Sequence, residues 1–168
     1  MKKAFALGLA TAAFLALVRF ETDVFTSNAS AIIRSGPWMA ALIFAHNSLA
    51  ATAVAAGMSF YVALIDALPA RLRRKEVLVK EHARLFSAVF AALVVLNSLF
   101  VEGGLSAFNF QLIHLWLPVA AVEAFGLYLA TLYPLQRNIT AANMAKVYTT
   151  FLIGATLETA LILAHVHG

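Results

Sequence analysis

The stretch LPVAAVEAFG, residues 117–126, decides how this chain is read. Glu123 stands near the middle of LIHLWLPVAAVEAFGLYLATLY, a run otherwise long and apolar enough to cross a bilayer. A carboxyl at that depth costs a few kcal/mol on insertion scales, unless it faces the interior of a helix bundle and finds a partner there. The residues around it must therefore explain both a membrane span and a polar contact inside it.

Composition agrees with a membrane setting. Of 168 residues, 62% are hydrophobic and only 12% carry charge, with a mean hydropathy of +0.87. Soluble domains carry roughly 25% charged residues, so this chain has too little charge to cover a water-facing surface. No cysteine is present, which excludes disulfides, zinc–thiolate sites and iron–sulfur clusters. The sequence also lacks a phosphate-cradling glycine loop, a Gly-x-Ser-x-Gly elbow and a His-Glu-x-x-His pair. Asn28-Ala29-Ser30 and Asn138-Ile139-Thr140 match the glycosylation pattern, which matters only in a secreted eukaryotic setting. The expectation is a non-enzymatic protein with no cofactor.

Working outward from Glu123, the chain divides into five apolar segments. AFALGLATAAFLALV, at 4–18, follows Met1-Lys2-Lys3 and has the look of a signal peptide. No convincing small-x-small cleavage site follows it, so it is read as a retained first helix of about 4–19. The second segment, 37–67, opens with Pro37 at a plausible first helical position. The third is 85–101, closed by Glu102-Gly103-Gly104. The fourth spans about 111–133 and ends before Pro134, and the fifth is 147–167. The expected fold is all-α: one domain over 1–168, a polytopic transmembrane bundle of about five helices. Its longest loop has about 17 residues (20–36), which leaves no extramembrane domain.

Basic residues orient it. With a cytoplasmic N-terminus, the inside carries Lys2, Lys3, Arg71, Arg73, Arg74, Lys75, Lys80, Arg84, Arg137 and Lys146, against Arg19 and Arg34 outside. That bias obeys the positive-inside rule and leaves the C-terminus outside, in a multi-pass protein of the cell membrane. The positive charge, +4 overall, is thus ascribed to orientation and not to nucleic acid. Within it, Arg71, Arg73, Arg74, Lys75, Lys80 and Arg84 form either a topology anchor for anionic inner-leaflet lipid or a docking surface for a cytoplasmic partner. Small residues such as Gly8 and Ala12 suit close helix packing, in a compact bundle or a homo-oligomer.

The remaining chemistry lies in polar residues within the helices. Glu123 and Glu158 fall about 12 and 11 residues into the fourth and fifth segments, which at ~1.5 Å per residue puts both near the bilayer centre. His46 and Asn47 lie at comparable depth. Asn97 and His114 belong to outer halves, and His165 and His167 to an outer end. His114 and Glu123 are nine residues apart, on opposite faces. Pro118 removes a helical donor and is expected to kink the fourth helix before the carboxyl. Three readings of the cluster His46, Asn47, Asn97, Pro118, Glu123 and Glu158 compete. One is structural, with each Glu tying its helix to a neighbour. Another is transport of protons or a divalent cation by a small oligomer. Intramembrane catalysis is the least supported, because no nucleophile–base pair has helical spacing. Whether the cluster binds a metal stays open.

LPVAAVEAFG resembles the motif of SpoIIM-like membrane proteins (stage II sporulation protein M and its prokaryotic relatives), approximately Leu-Pro-His-Gly-x-x-Glu-x-x-Ala. Pro118 and Glu123 keep its five-residue interval. IFAHNSLAATAVAAG, at 43–57, resembles the family's Asn-Asn-x-x-x-Ala segment ending in Gly, and GATLETALILAH, at 154–165, its last helix with a buried Glu. The chain departs from the pattern at Val119-Ala120, where the family has His-Gly, and at His46, where it has the first Asn. The resemblance implies a helical membrane protein without catalytic machinery. Such a protein would act as a scaffold or organiser of a membrane-associated complex in envelope or membrane remodelling, with membrane lipid and membrane-protein partners.

Overall fold

In a computed structural model, the structure describes residues 38–68, 82–101 and 113–167, together with Ala12, Ala16, Arg19 and Gly36. Side chains are described as far as Val95 in the second range and from Leu117 to Ala164 in the third. These residues form four helices: α1 (Trp38–Ala67), α2 (Ala83–Val101), α3 (Ile113–Leu135) and α4 (Ala141–His167). The described residues include no strand. α1, α3 and α4 are long and apolar enough to cross a membrane, while the described apolar part of α2 is shorter. Helix is the form these segments must take in lipid, where each backbone N–H and C=O has to be satisfied within its own segment.

α3 is the centre of the bundle and packs against α1, α2 and α4, while α1 also packs against α4. The contact residues are small. Ala51, Ala53, Ala55, Ala91, Ala130 and Ala155 are buried, with Ser87 and Thr131, whereas Trp38, Leu85, Leu93, Leu117, Phe125, Leu152 and Ile153 point outward. A water-soluble bundle would show the reverse. With lipid as solvent no hydrophobic force drives helices together, so small residues at the seams let backbones approach and large apolar ones face the tails. Length and packing together give the chain the build of a helical membrane protein.

The closest seam joins α3 and α4. Gly126 lies under the ring of Phe151, and a Cβ there would come 2.7 Å from its Cε2. Gly154 lies against Glu123, where a Cβ would sit 3.6 Å from Cγ. Gly126 is thus level with Phe151 and Glu123 with Gly154, so the two helices run antiparallel.

The connection between them is a Schellman turn. Asn138 N–H donates to Tyr133 O and Arg137 N–H to Pro134 O, each at 2.9 Å. This pattern sets Arg137 in the left-handed position with φ 55°, where glycine is the usual occupant. The Arg137 guanidinium reaches across to α1, with Nη2 2.6 Å and Nε 3.4 Å from the two carboxylate oxygens of Asp66. Thr140 then caps α4, accepting the N–H of Asn143 on its hydroxyl at 3.2 Å. The side chain of Asn143 folds back to donate to Asn138 O at 2.9 Å.

These contacts correct several boundaries expected from the sequence. α4 begins at Ala141 and not at 147, because the Thr140 cap starts the helix while hydropathy registers only its membrane part. α3 runs from Ile113 through Pro134 to Leu135, where an end before the proline was expected. The missing proline N–H costs one bond, yet Gln136 N–H still reaches Leu132 O at 2.9 Å and the Pro134 ring is fully buried. α2 starts at Ala83, two residues before the expected 85. Pro37 and, apart from Ala12, Ala16 and Arg19, the expected first helix at 4–19 lie outside the described residues.

Substitutions at Gly126 and Arg137 probe this framework. Gly126→Ala should destabilise by about 1–3 kcal/mol through overpacking against buried Phe151, and Gly126→Ala combined with Phe151→Leu should recover much of the loss in a thermal melt. Arg137→Gly should melt at or above wild type, because relief of the left-handed strain offsets an exposed ion pair worth under ~1 kcal/mol. Arg137→Ala keeps the strain, loses the pair, and should melt lowest of the three.

Candidate functional site

The site is built on the face of α3 that carries Glu123, Gly126, Leu127, Ala130 and Pro134, spaced three or four residues apart so that they share one side of the helix. Glu123 is half-buried, and the other four are buried. Asn47 of α1 donates from Nδ2 to Glu123 Oε1 at 2.7 Å. This hydrogen bond joins two helices at their apolar middles, 76 residues apart in sequence. It is a direct side-chain link between α1 and α3 inside the bundle.

Glu158 belongs to the same place. It lies one turn beyond Gly154, the residue that packs on the Glu123 stem. Helical side chains lean toward the N-terminus of their own helix, and α3 and α4 are antiparallel, so the two carboxyl-bearing side chains lean toward each other. Glu158 is half-buried and within electrostatic reach of the Glu123 carboxyl. The arrangement is one amide donor from α1 and a carboxyl from each of α3 and α4, gathered where small residues let three helices approach.

A second polar contact ties α1 to α4. The hydroxyls of Thr52 and Tyr148 lie 3.0 Å apart, and Thr52 also donates to the carbonyl of Ser48 at 2.7 Å. Near these contacts the hydroxyl of Ser48 is buried without a protein partner, as is that of Thr159, next to Glu158 in sequence.

The other residues singled out from sequence are distributed as follows. His46 is half-buried beside Asn47 but turned ~100° round α1 from it. Pro118 lies in α3 and is exposed, ~140° round the helix from Glu123. Asn97 is in α2 and His114 in α3, with side chains outside the described residues, as are those of His165 and His167. Arg84 is exposed in the first turn of α2, whereas Arg71, Arg73, Arg74, Lys75 and Lys80 lie outside the described residues. Among the described residues, no three His, Cys, Asp or Glu side chains group as a metal site.

Sequence reading missed the Asp66–Arg137 and Thr52–Tyr148 pairs. Their partners are 71 and 96 residues apart, and neither leaves a local spacing signal. The one available hint was an acidic residue at the end of one apolar run and a basic residue at the end of another, both at the same bundle end. Compared with protein-family models, curated proteins and solved structures, the chain matches none.

Removing the Asn47–Glu123 bond should separate its contribution from the carboxyl's charge. Glu123→Leu and Asn47→Ala should each lower stability by ~0.6–2 kcal/mol, the range for hydrogen bonds between membrane helices, and the double variant should lose less than their sum. Glu123→Gln keeps an oxygen acceptor at the same reach and should melt close to wild type. From sequence, the scaffold reading implied that this change would disturb helix packing first, and the transport reading that it would leave the melting temperature nearly intact.

Proposed function

We propose that this chain is a SpoIIM-like, multi-pass protein of the cell membrane that acts as a non-enzymatic scaffold for a membrane-associated complex, with Glu123 and Glu158 holding the bundle in one arrangement. One observation carries the reading. The three stretches that bear the family resemblance, 43–57, 117–126 and 154–165, supply Asn47, Glu123, and Gly154 with Glu158, and these residues meet at one point. Residues that a scaffold would use to fix its helices are expected to converge in this way. The reading includes five crossings, a cytoplasmic N-terminus and an outer C-terminus, supported by the distribution of Lys and Arg. It also includes self-association or assembly with other membrane proteins, supported by the apolar outward faces and small-residue seams.

A second reading has its own supporting observation. Two carboxyls that lean together in the middle of a membrane bundle, beside buried hydroxyls without protein partners, suit a proton or hard-cation site in a small oligomeric transporter. The two readings separate in one experiment. Wild type and Glu123→Gln are reconstituted in liposomes, and proton and cation flux is recorded beside thermal stability. Scaffolding requires no flux from either protein, and crosslinking of the 20–36 or 69–84 connection to other membrane proteins in cells. Flux that disappears in a stable Glu123→Gln would replace the scaffold with a transporter.

The absence of cysteine makes topology directly measurable. Single cysteines in place of Ser27 and Gln136 should react with a membrane-impermeant maleimide from opposite sides, Ser27→Cys from outside and Gln136→Cys only after the membrane is opened. The reverse pattern would invert the proposed orientation.

A further inference from the structure

The middle of α1 is enclosed on every side. No residue from His46 to Phe60 is exposed, a run of ~21 Å along the helix. The bundle accounts for one side of that run. Ala51 packs with Leu127 and Ala130 of α3 and with Phe151 of α4, and Ala91 of α2 joins the same cluster. Ala53 is turned ~200° from Ala51 and so points away from these helices, yet only 4% of it is exposed. Leu42 and Leu64 point within ~20° of the same direction and are 41% and 43% exposed. The cover over Ala53 is therefore local, beginning after Leu42 and ending before Leu64.

Ala53 is enclosed within a single chain, so its cover is a part of that chain and neither lipid nor a second copy. Residues 69–81 carry seven charged side chains among thirteen, which cannot lie on an apolar surface at that depth. Residues 20–35 are broken by Glu21, Asp23 and Arg34, and residues 102–112 by Glu102, Asn109 and Gln111, so neither offers an apolar run of the required length. Residues 4–18 are uncharged, and as a helix would span the same ~21 Å as the covered run. Ala12, Ala16 and Arg19 are helical and exposed. They share one side of a helix, and on the opposite side the sequence places Leu7, Ala10, Phe14 and Leu17, at the three- and four-residue spacing of a single face.

We infer that segment 4–18 docks as a helix along the Ala53 side of α1, presenting Leu7, Ala10, Phe14 and Leu17 to it and turning Ala12, Ala16 and Arg19 outward. The connection 20–36 returns the chain to the end of α1 that holds Trp38, so the two helices run antiparallel. Aligning the two ~21 Å runs end to end sets Ala10 beside Ala53. Such an alanine pair lets backbones approach, as small residues do at the other seams of this bundle. The stretch with the look of a signal peptide is then a packed element of the bundle. This docking rests on the five-crossing reading, not on the choice between scaffold and transporter.

The chain has no cysteine, so an introduced disulfide reads the docking directly. Ala53→Cys is combined with Ala10→Cys or with Ala12→Cys in the full chain, a protease site is placed in the 20–36 connection, and membranes are oxidised before cleavage. The Ala10→Cys pair should hold the two fragments together until a reductant is added, because an alanine seam brings Cα atoms within disulfide reach. Ala12→Cys, on the outward side, should give several-fold less. Ala53→Leu provides a measurement free of cysteine geometry. It should melt several degrees below wild type, since leucine overpacks a closed seam but suits a face turned to lipid. Fragments that separate in the Ala10→Cys pair, in a variant melting near wild type, would overturn the docking. So would equal crosslinking of the two sides, or an Ala53→Leu chain that melts at or above wild type. A disulfide joining two chains through Ala53→Cys would assign the face to a second copy and overturn it as well. Cleavage from the outer side without the intrachain disulfide refutes the docking and leaves the crossings standing.

Discussion

The hydrogen bond from Asn47 to Glu123 is the constraint from which the rest of the bundle can be understood. A carboxyl in the middle of an apolar helix cannot face lipid tails without a large penalty, so it fixes the rotation of α3 about its own axis. Once Glu123 turns toward α1 and α4, Gly126, Leu127, Ala130 and Pro134 must turn the same way. Gly126 lets Phe151 approach, and Gly154 provides the corresponding gap beside the Glu123 stem. The polar contact sets orientation, and the glycines make the resulting approach sterically possible.

Stability then comes from close contact more than from exclusion of water. Alanines dominate the buried seams while leucines, isoleucines, phenylalanine and tryptophan cover the outside. Dispersion between well-fitted small surfaces is the main attraction when the solvent is itself hydrocarbon. The chemistry is accordingly concentrated in few groups. An amide meets a carboxyl between α1 and α3, a second carboxyl lies near it on α4, and a threonine–tyrosine pair joins α1 to α4.

The end of the bundle bearing the α3–α4 connection is organised differently. Its turn is closed by backbone hydrogen bonds, capped by Thr140 and tied to α1 by Arg137 and Asp66. Arg137 occupies a left-handed backbone position that a glycine would fill with less strain, and what it brings is a side chain long enough to reach another helix. Beside this end, α1 and α2 part to leave an apolar cleft lined by Gly57, Met58, Tyr61, Phe86 and Leu135. The bundle thus has a closed seam at the carboxyl level and an open one toward the α3–α4 connection.

The sequence by itself determined the four described helices, to within two residues at every end but the start of α4, because hydropathy and length are local quantities summed along one segment. It also marked Glu123, Glu158 and Asn47, since a polar group in an apolar run is visible without a fold. Helix ends escaped where capping overrode hydropathy, as at Thr140 and beyond Pro134. Only the tertiary structure decided which helix faces meet. It set Asn47 against Glu123, turned Pro118 outward, brought Asp66 to Arg137 across 71 residues, and laid the ring of Phe151 over Gly126. Rotation of each helix about its axis is fixed by neighbours distant in the chain, so no local pattern of residues encodes it.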